Sequence, residues 1–167
     1  MAKVLERSLY ETDHYAWTRQ QAAELRRLAK VSAPSTLDLD NLAEEIESLG
    51  RSDLNTVRSH VRRIIEHLLK LEHSPAGKPR LQWQQSVNQA RDEVADRLTA
   101  SLRKDAEKDL ATLFARGRRD ADLAPMQHGE HEAARSLPAT CPYSFEQIVG
   151  QGWYPANRHG LADRDSA

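Results

Sequence analysis

The sequence has little of several features that mark particular classes of protein. It contains one cysteine, Cys141, which excludes an intrachain disulfide and indicates a reducing compartment. Aromatic residues make up only 5% of the chain, which favours helices with one apolar stripe over a thick sandwich core. No stretch approaches the roughly 18 apolar residues of a membrane span. The first ten residues lack the basic start and apolar centre of a signal peptide, so we expect a cytoplasmic protein.

The chain also lacks a charge excess of either sign. Its 24 Lys and Arg residues nearly balance its 25 Asp and Glu residues, which gives no reason to expect a nucleic-acid or membrane partner. A glycine-rich phosphate loop, a serine elbow and the cysteine spacing of a zinc finger are all missing. The sequence therefore disfavours an ordinary hydrolase, kinase or nucleotide-binding enzyme and favours a protein without catalytic activity.

What the sequence does contain is helical periodicity. The strongest pattern predicts a central helix that begins after Ser52 and has one apolar face, formed by Leu54, Val57, Val61, Ile64, Ile65, Leu68, Leu69 and Leu71. The helix before it is expected to start near Asp38 or Asp40 and to carry Leu39, Leu42, Ile46 and Leu49 on one face. Gly50 is a natural stop in the left-handed conformation, and a continuous helix through Gly50 is the alternative.

Weaker patterns predict the remaining helices. A first helix, capped by Thr12 or Asp13 and running to about Lys30, is expected to carry Trp17, Gln21, Leu25, Leu28 and Ala29 on one face. Further helices are expected over 81–100 and from Ser101 to about 122, followed by an irregular stretch over 123–142. A capping box at Ser144 predicts a short last helix, and Trp153 and Tyr154 are expected to fold back onto the bundle.

The predicted fold is all-α: a helical bundle of about five helices with a short C-terminal helix and an irregular tail. The length fits one domain, over residues 1–155, with a flexible C-terminal tail over 156–167.

Several segments together resemble a known family. They are Tyr10, Asp13 and Trp17, the block Asn41-Leu42-Ala43-Glu44-Glu45-Ile46-Glu47-Ser48-Leu49-Gly50, then His67-Leu68-Leu69-Lys70, Trp83, and Cys141-Pro142-Tyr143-Ser144. In this order they resemble the bacterial domain-of-unknown-function family number twenty-nine, which is common in cyanobacteria and proteobacteria. The resemblance implies a small all-α bundle and no established activity.

One set of residues could hold a divalent metal. His67, with Glu45, Asp13 and His14 from other predicted helices, would form a carboxylate–imidazole cluster of the kind that binds Zn, Fe or Mn in helical bundles. The di-iron signature Glu-x-x-His on two helices is missing. The alternative is that His67 is a partly buried histidine satisfied by one carboxylate or backbone group, and that the acidic block is a solvated face.

Other candidate groups are weaker. His128 and His131 have a spacing that could bind a metal, but loops produce such pairs by chance. Cys141 has no adjacent base and is expected to be a small buried hydrophobe. A modest basic face could form from Lys104, Lys108, Arg116, Arg118 and Arg119.

Three functions follow from these observations. The first is a non-catalytic helical module that binds another protein or forms a homodimer, with Trp17, Trp83 and Trp153 as candidate anchors. The second is a metal-binding bundle, or a metal-dependent enzyme, that uses His67. The third is a regulator of the nucleic-acid-binding or toxin–antitoxin type, which the balanced charge disfavours.

Overall fold

The computed structural model of the chain describes residues 8–31, 36–127, 133 and 135–161. Within these ranges it contains helices and no strand, which confirms the all-α fold. The helices are α1 (Leu9–Thr12), α2 (His14–Val31), α3 (Leu39–His73), α4 (Arg80–Ala95), α5 (Ala100–Lys108), α6 (Leu110–Gln127) and α7 (Phe145–Val149). None of these helices combines the length and the apolar character that a membrane crossing requires.

The chain divides into two compact units. The first combines Met1–Thr56 with Leu98–Ala106, and the second combines Val57–Arg97 with Glu107–Ala167. Helix α3 runs through the division, so its first half belongs to the first unit and its second half to the second. The boundary of a single domain over residues 1–155 stays a prediction.

The first unit is built on an antiparallel pair of helices, α2 and the first half of α3, called here the hairpin. The hairpin packs through small side chains: Thr18 and Ala22 on α2 are fully buried, as is Ala43 on α3. The large residues that the sequence groups on one face of each helix are therefore not the ones that fill this contact. Leu42 and Leu49 are exposed large hydrophobic residues, and Tyr15, Thr18 and Ala22 are buried on α2, where Trp17 is half-buried.

Gly50 explains why small side chains, and not the predicted apolar faces, pack between α2 and α3. It does not stop a helix: α3 is continuous from Leu39 to His73, so the alternative of a helix through Gly50 is the correct one. A Cβ at this position would collide with Thr18 Oγ1 and lie 3.3 Å from Tyr15 Cδ2. The glycine is required by the close approach of α2, and this approach turns the small side chains inward.

The second unit contains the large apolar core. The face predicted for the central helix is confirmed, because every residue from Val57 onward in that pattern is almost completely buried. Helix α4 adds Val87, Ala90 and Val94, and α6 adds Leu113 and Phe114. Gly117 on α6 lets that helix come close to α3, since a Cβ there would stand 2.9 Å from the carbonyl oxygen of Arg62.

Several predicted boundaries also change. Helix α4 ends at Ala95 and not near residue 100. The predicted helix from Ser101 to about 122 is two helices, α5 and α6, which are separated at Asp109. Thr99 caps α5 in place of Ser101, because Thr99 Oγ1 accepts a hydrogen bond from the Leu102 amide at 3.3 Å. Helix α6 continues to Gln127, past residue 123, where the irregular stretch is predicted to begin.

The C-terminal segment follows the prediction more closely. The capping box at Ser144 is present, with the Gln147 amide donating to Ser144 Oγ at 3.1 Å. Tyr154 contacts α4, as its ring lies under the Arg91 guanidinium with 5.2 Å between them. Hydrogen bonds to the end of α3 extend through His159, beyond the start of the predicted tail at residue 156.

We expect Gly50→Ala to destabilise the protein by about 1–3 kcal/mol, because the methyl group must push Thr18 aside. Alanine is the better helix former by about 1 kcal/mol, so helix propensity alone would give the opposite sign. Urea unfolding measures the free energy of unfolding. Gly77→Ala is the control, since a Cβ there meets nothing within 4 Å. A Gly50→Ala variant as stable as the wild type would contradict the close approach.

Candidate interaction surface

Asp13 is a buried carboxylate that joins the start of α2 to the start of α5 in the first unit. Its Oδ1 accepts hydrogen bonds from the Ala16 amide at 3.0 Å and from Thr99 Oγ1 at 2.9 Å. Its Oδ2 accepts from the Ser101 amide at 3.0 Å. Burial raises the pKa of Asp13, but the hydrogen bonds from Ala16, Ser101 and Thr99 outweigh it, so the pKa lies below its ordinary value. Both oxygens cap helices.

His14 belongs to a different group of side chains. Its Nδ1 lies 3.4 Å from Asp53 Oδ2 on α3, and its ring stacks on Trp17 with 5.5 Å between centroids. Tyr10 packs edge-on against Trp17 at 4.8 Å. The cluster is partly exposed, so the ion pair contributes little to stability and the aromatic rings remain accessible.

His67 lies in the second unit, on the half of α3 that faces the large core. Its Nδ1 is buried and has no hydrogen-bond partner in the part of the chain that the structure describes. Burial lowers the pKa of His67 to about 4, and the neighbouring Lys70 and Arg63 add to the effect while Glu66 opposes it. Lys70 Nζ donates to Glu66 Oε1 at 2.5 Å. His67 is therefore neutral at pH 7.

The four residues predicted as metal ligands have separate environments. Asp13 and His14 have different partners, and Glu45 is exposed on α3. Across the described ranges, no three or more His, Cys, Asp or Glu side chains are placed to hold a metal ion. The pair His128 and His131 lies outside these ranges. Metal binding by His67, Glu45, Asp13 and His14 stays a prediction.

One side of the hairpin carries its charges. Arg26 Nη2 on α2 donates to Glu47 Oε2 on α3 at 2.5 Å and lies 3.5 Å from Glu44 Oε2. Arg51, one turn further along α3, donates to Glu44 Oε1 at 2.6 Å. Glu44 and Glu47 belong to the acidic block. Both are therefore already engaged in ion pairs within the hairpin.

The opposite side of the hairpin is apolar. Leu42, Ile46 and Leu49 follow one another at four and three residues on α3, and Trp17 and Leu28 lie on the matching side of α2. The His14–Asp53 contact joins the two helices on this side, which places both rows on one surface. We call these five residues, Trp17, Leu28, Leu42, Ile46 and Leu49, the apolar face.

The apolar face is open to solvent. Leu42 is 42% exposed and Leu49 is 54% exposed, while Trp17, Leu28 and Ile46 are half-buried. Exposed large apolar side chains that share one helix face mark interaction sites more often than isolated exposed leucines do. The sequence grouped Leu42, Ile46 and Leu49 on one helix face and offered Trp17 as a candidate anchor for a partner, and the size and spacing of these residues are those of a buried layer.

A buried polar cluster at the end of α3 was not predicted. In it, Tyr143 Oη donates to Glu72 Oε2 at 2.6 Å, and Arg158 Nε donates to Glu72 Oε1 at 3.1 Å. Burial, followed by the Glu72 contact, raises the pKa of Tyr143 far above its ordinary value. The Cys-Pro-Tyr-Ser segment was the sequence feature that could have pointed to this cluster. Glu72, the partner of Tyr143, lies 71 residues away in the sequence, so no local pattern connects the two.

The same cluster brings a serine and a histidine together. His73 Nδ1 lies 2.9 Å from Ser136 Oγ, and His73 is almost completely buried. Ser136 Oγ donates its own hydrogen bond to the Ala133 carbonyl at 2.8 Å. This hydrogen bond competes with donation from the Ser136 hydroxyl to His73 Nδ1, so the His73–Ser136 contact alone does not mark Ser136 as a nucleophile. The arrangement holds the chain segments together.

Arg91 on α4 is the largest fully buried side chain among the described residues, and the sequence did not predict its burial. Its guanidinium donates to three carbonyl oxygens, those of Gln147 at 2.9 Å, Ile148 at 2.9 Å and Trp153 at 2.8 Å. These carbonyls belong to the last turn of α7 and the segment after it. Arg91 therefore holds the C-terminal segment against α4.

We expect Asp13→Asn to lower the free energy of unfolding by on the order of 2 kcal/mol, because the amide nitrogen cannot accept the hydrogen bonds that one carboxylate oxygen now receives. The loss is measured by urea unfolding at pH 7. Asp53→Asn is the matched control, with an expected cost below about 1 kcal/mol for its exposed pair with His14. Equal costs for the two variants would show that Asp13 does not hold the helix starts.

We expect His67 to make the protein less stable in acid. Its folded pKa of about 4 lies below the ordinary value, so the unfolded chain binds a proton first as the pH falls from 6.5 towards 4. The stability that neutral His67 contributes is present above pH 6.5 and is lost across this window. The free energy of unfolding should fall by on the order of 2 kcal/mol more in the wild type than in His67→Gln. Identical pH profiles for the two proteins would exclude this role.

Comparison with known proteins agrees with the all-α fold and indicates no specific activity. The family model for "Domain of unknown function DUF29" matches residues 9–154. A crystal structure of an α-helical protein of unknown function from Rhodospirillum rubrum is 26% identical, covering 89% of this chain and 93% of that chain with a TM-score of 0.77. No curated protein matches significantly. The chain therefore belongs to the DUF29 family of domains of unknown function.

Proposed function

We propose that the chain is a non-catalytic helical module that binds protein through the apolar face of its first unit. The observation that carries this proposal is that the hairpin buries small side chains between its helices and exposes large apolar ones to solvent. Thr18, Ala22 and Ala43 fill the interface between its helices, while Leu42 and Leu49 point to solvent. A partner that covers this face would bury the layer of large side chains that the hairpin leaves outside.

The energetics favour such a partner. A fully exposed leucine gains about 1.5–3 kcal/mol on complete burial, so Leu42 and Leu49 each gain on the order of 1 kcal/mol when covered. Trp17 supplies an anchor of the residue type that is enriched at interaction hot spots. Its ring is held by Tyr10 and His14, so little side-chain entropy is lost on binding.

The charges of the hairpin support the same assignment. Arg26, Arg51, Glu44 and Glu47 pair with one another on the opposite side. Glu44 and Glu47 are therefore already neutralised within the unit, which favours a structural role for these two acids over metal binding. We further propose that the module works in the cytoplasm, where its one cysteine stays reduced.

We expect the double variant Leu42→Lys and Leu49→Lys to lose protein association while keeping its fold. Two ammonium groups in the apolar face cannot be covered without losing their hydration. Association is measured by sedimentation velocity on the purified protein and by quantitative affinity capture from cells of the source organism. Circular dichroism melting checks the fold.

Leu81→Lys is the matched control, because Leu81 is 50% exposed on α4, outside the apolar face. This variant should associate as the wild type does. The proposal fails if the wild type neither self-associates nor captures a protein in a way that the Leu42 and Leu49 substitutions abolish. It also fails if the control variant loses association to the same extent.

A further inference from the structure

We infer that the partner on the apolar face is a second copy of this chain. Two hairpins pack face to face about a two-fold axis parallel to their helices, and together they form a four-helix bundle in which α2 of one copy lies against α3 of the other. This inference rests on the proposed function and names its partner. An antiparallel arrangement of all neighbouring helices is the common form of such bundles.

The contacts within the hairpin fix which residues share a level along the bundle. His14 lies beside Asp53, Thr18 beside Gly50, and Arg26 beside Glu47. A two-fold axis parallel to the helices keeps every residue at its own level. The outer edge of each helix is the side that points away from its partner in the hairpin. In the dimer, the outer edge of α2 in one copy lies beside the outer edge of α3 in the other, and residues meet at the same heights as in these three pairs.

The size of the face is sufficient for a dimer. Helix α2 has 18 residues, which corresponds to about 27 Å at about 1.5 Å per residue. Two helices about 9 Å apart present a face about 19 Å wide, so each copy offers about 500 Å². The total of about 1,000 Å² reaches the lower limit for a specific interface. A closed, isologous contact also leaves no second copy of the face exposed to continue into a fibre.

The charges at the edges of the face are complementary between two copies. Arg27 lies on the outer edge of α2, is 60% exposed, and bonds only to Glu24 on its own helix among the described residues. Glu45 lies on the outer edge of α3, is exposed, and stands within about one turn of the level of Arg27. In the two-fold dimer, Arg27 of each copy faces Glu45 of the other. The two lateral edges of the bundle interface thus carry one ion pair each, at the same level along the helices.

Charge reversal tests both the partner and the arrangement. Sedimentation velocity over a dilution series should show the wild type as a dimer at micromolar concentration and the Leu42→Lys and Leu49→Lys double variant as a monomer. Arg27→Glu alone, and Glu45→Arg alone, should each raise the dissociation constant by about five- to thirtyfold, since two symmetric ion pairs become repulsive. Combining Arg27→Glu with Glu45→Arg should restore the dimer. Arg116→Glu, an exposed reversal on α6, should leave the constant unchanged.

A cysteine pair gives a second measurement that does not depend on equilibrium affinity. With Cys141 replaced by serine, the double variant Arg27→Cys and Glu45→Cys should form a covalent dimer on mild oxidation, and Arg116→Cys should not.

A monomeric wild type that captures a different protein through Leu42 and Leu49 would overturn this inference and leave the proposed function standing. A dimer that is indifferent to both charge reversals and gives no covalent dimer would overturn the arrangement. A monomer without any partner would remove both proposals.

Discussion

The close approach of α2 to α3 at Gly50 is the constraint on which the first unit depends. The glycine lets the Thr18 side chain and the Tyr15 ring reach the α3 backbone, and Ala22 and Ala43 continue the same thin seam. A seam of small side chains brings helices close but removes little apolar area from water. The large side chains are placed on the outside as a consequence, so the geometry that holds the hairpin together also leaves Leu42 and Leu49 exposed to solvent.

Hydrogen bonds over long sequence distances complete both units. In the first, Asp13 holds the start of α5 through Thr99 and Ser101, and Tyr15 Oη donates to Asp105 on α5 at 2.9 Å. In the second, Arg91 holds the segment after α7 through backbone carbonyls. Asp13 and Gly50, two of the residues that carried the resemblance to the family, thus have structural roles in the folded chain. Their presence does not require a reaction.

The sequence predicted the fold class and the central helix because both depend on local periodicity. The pattern from Val57 to Leu71 has one apolar face, and that face is buried. The same reasoning failed for the hairpin, because it equates large apolar residues with the core. Ala43 and Gly50 stand seven residues apart on one face of α3, as do Leu42 and Leu49 on another. Periodicity alone cannot decide which of two such faces meets the neighbouring helix.

The candidate surface was less predictable than the fold for the same reason. Asp13 was identified as a helix cap, but its bond to Thr99 spans 86 residues and leaves no local pattern. The acidic block was one of the segments that carried the resemblance to the family, while the ion pairs made by Glu44 and Glu47 require the antiparallel register of α2 and α3. The exposure of Leu42 and Leu49 follows only when that register is known.

Hydrogen exchange of the wild type at two protein concentrations tests the central claim most directly. The claim is that the hairpin leaves a layer of large side chains for a second copy to cover. It predicts that backbone amides of α2 and of the first half of α3 exchange more slowly in the concentrated sample, while those of α4 and α7 exchange at the same rate in both. Exchange in the hairpin that is independent of concentration, in a sample shown to be monomeric throughout, would contradict it.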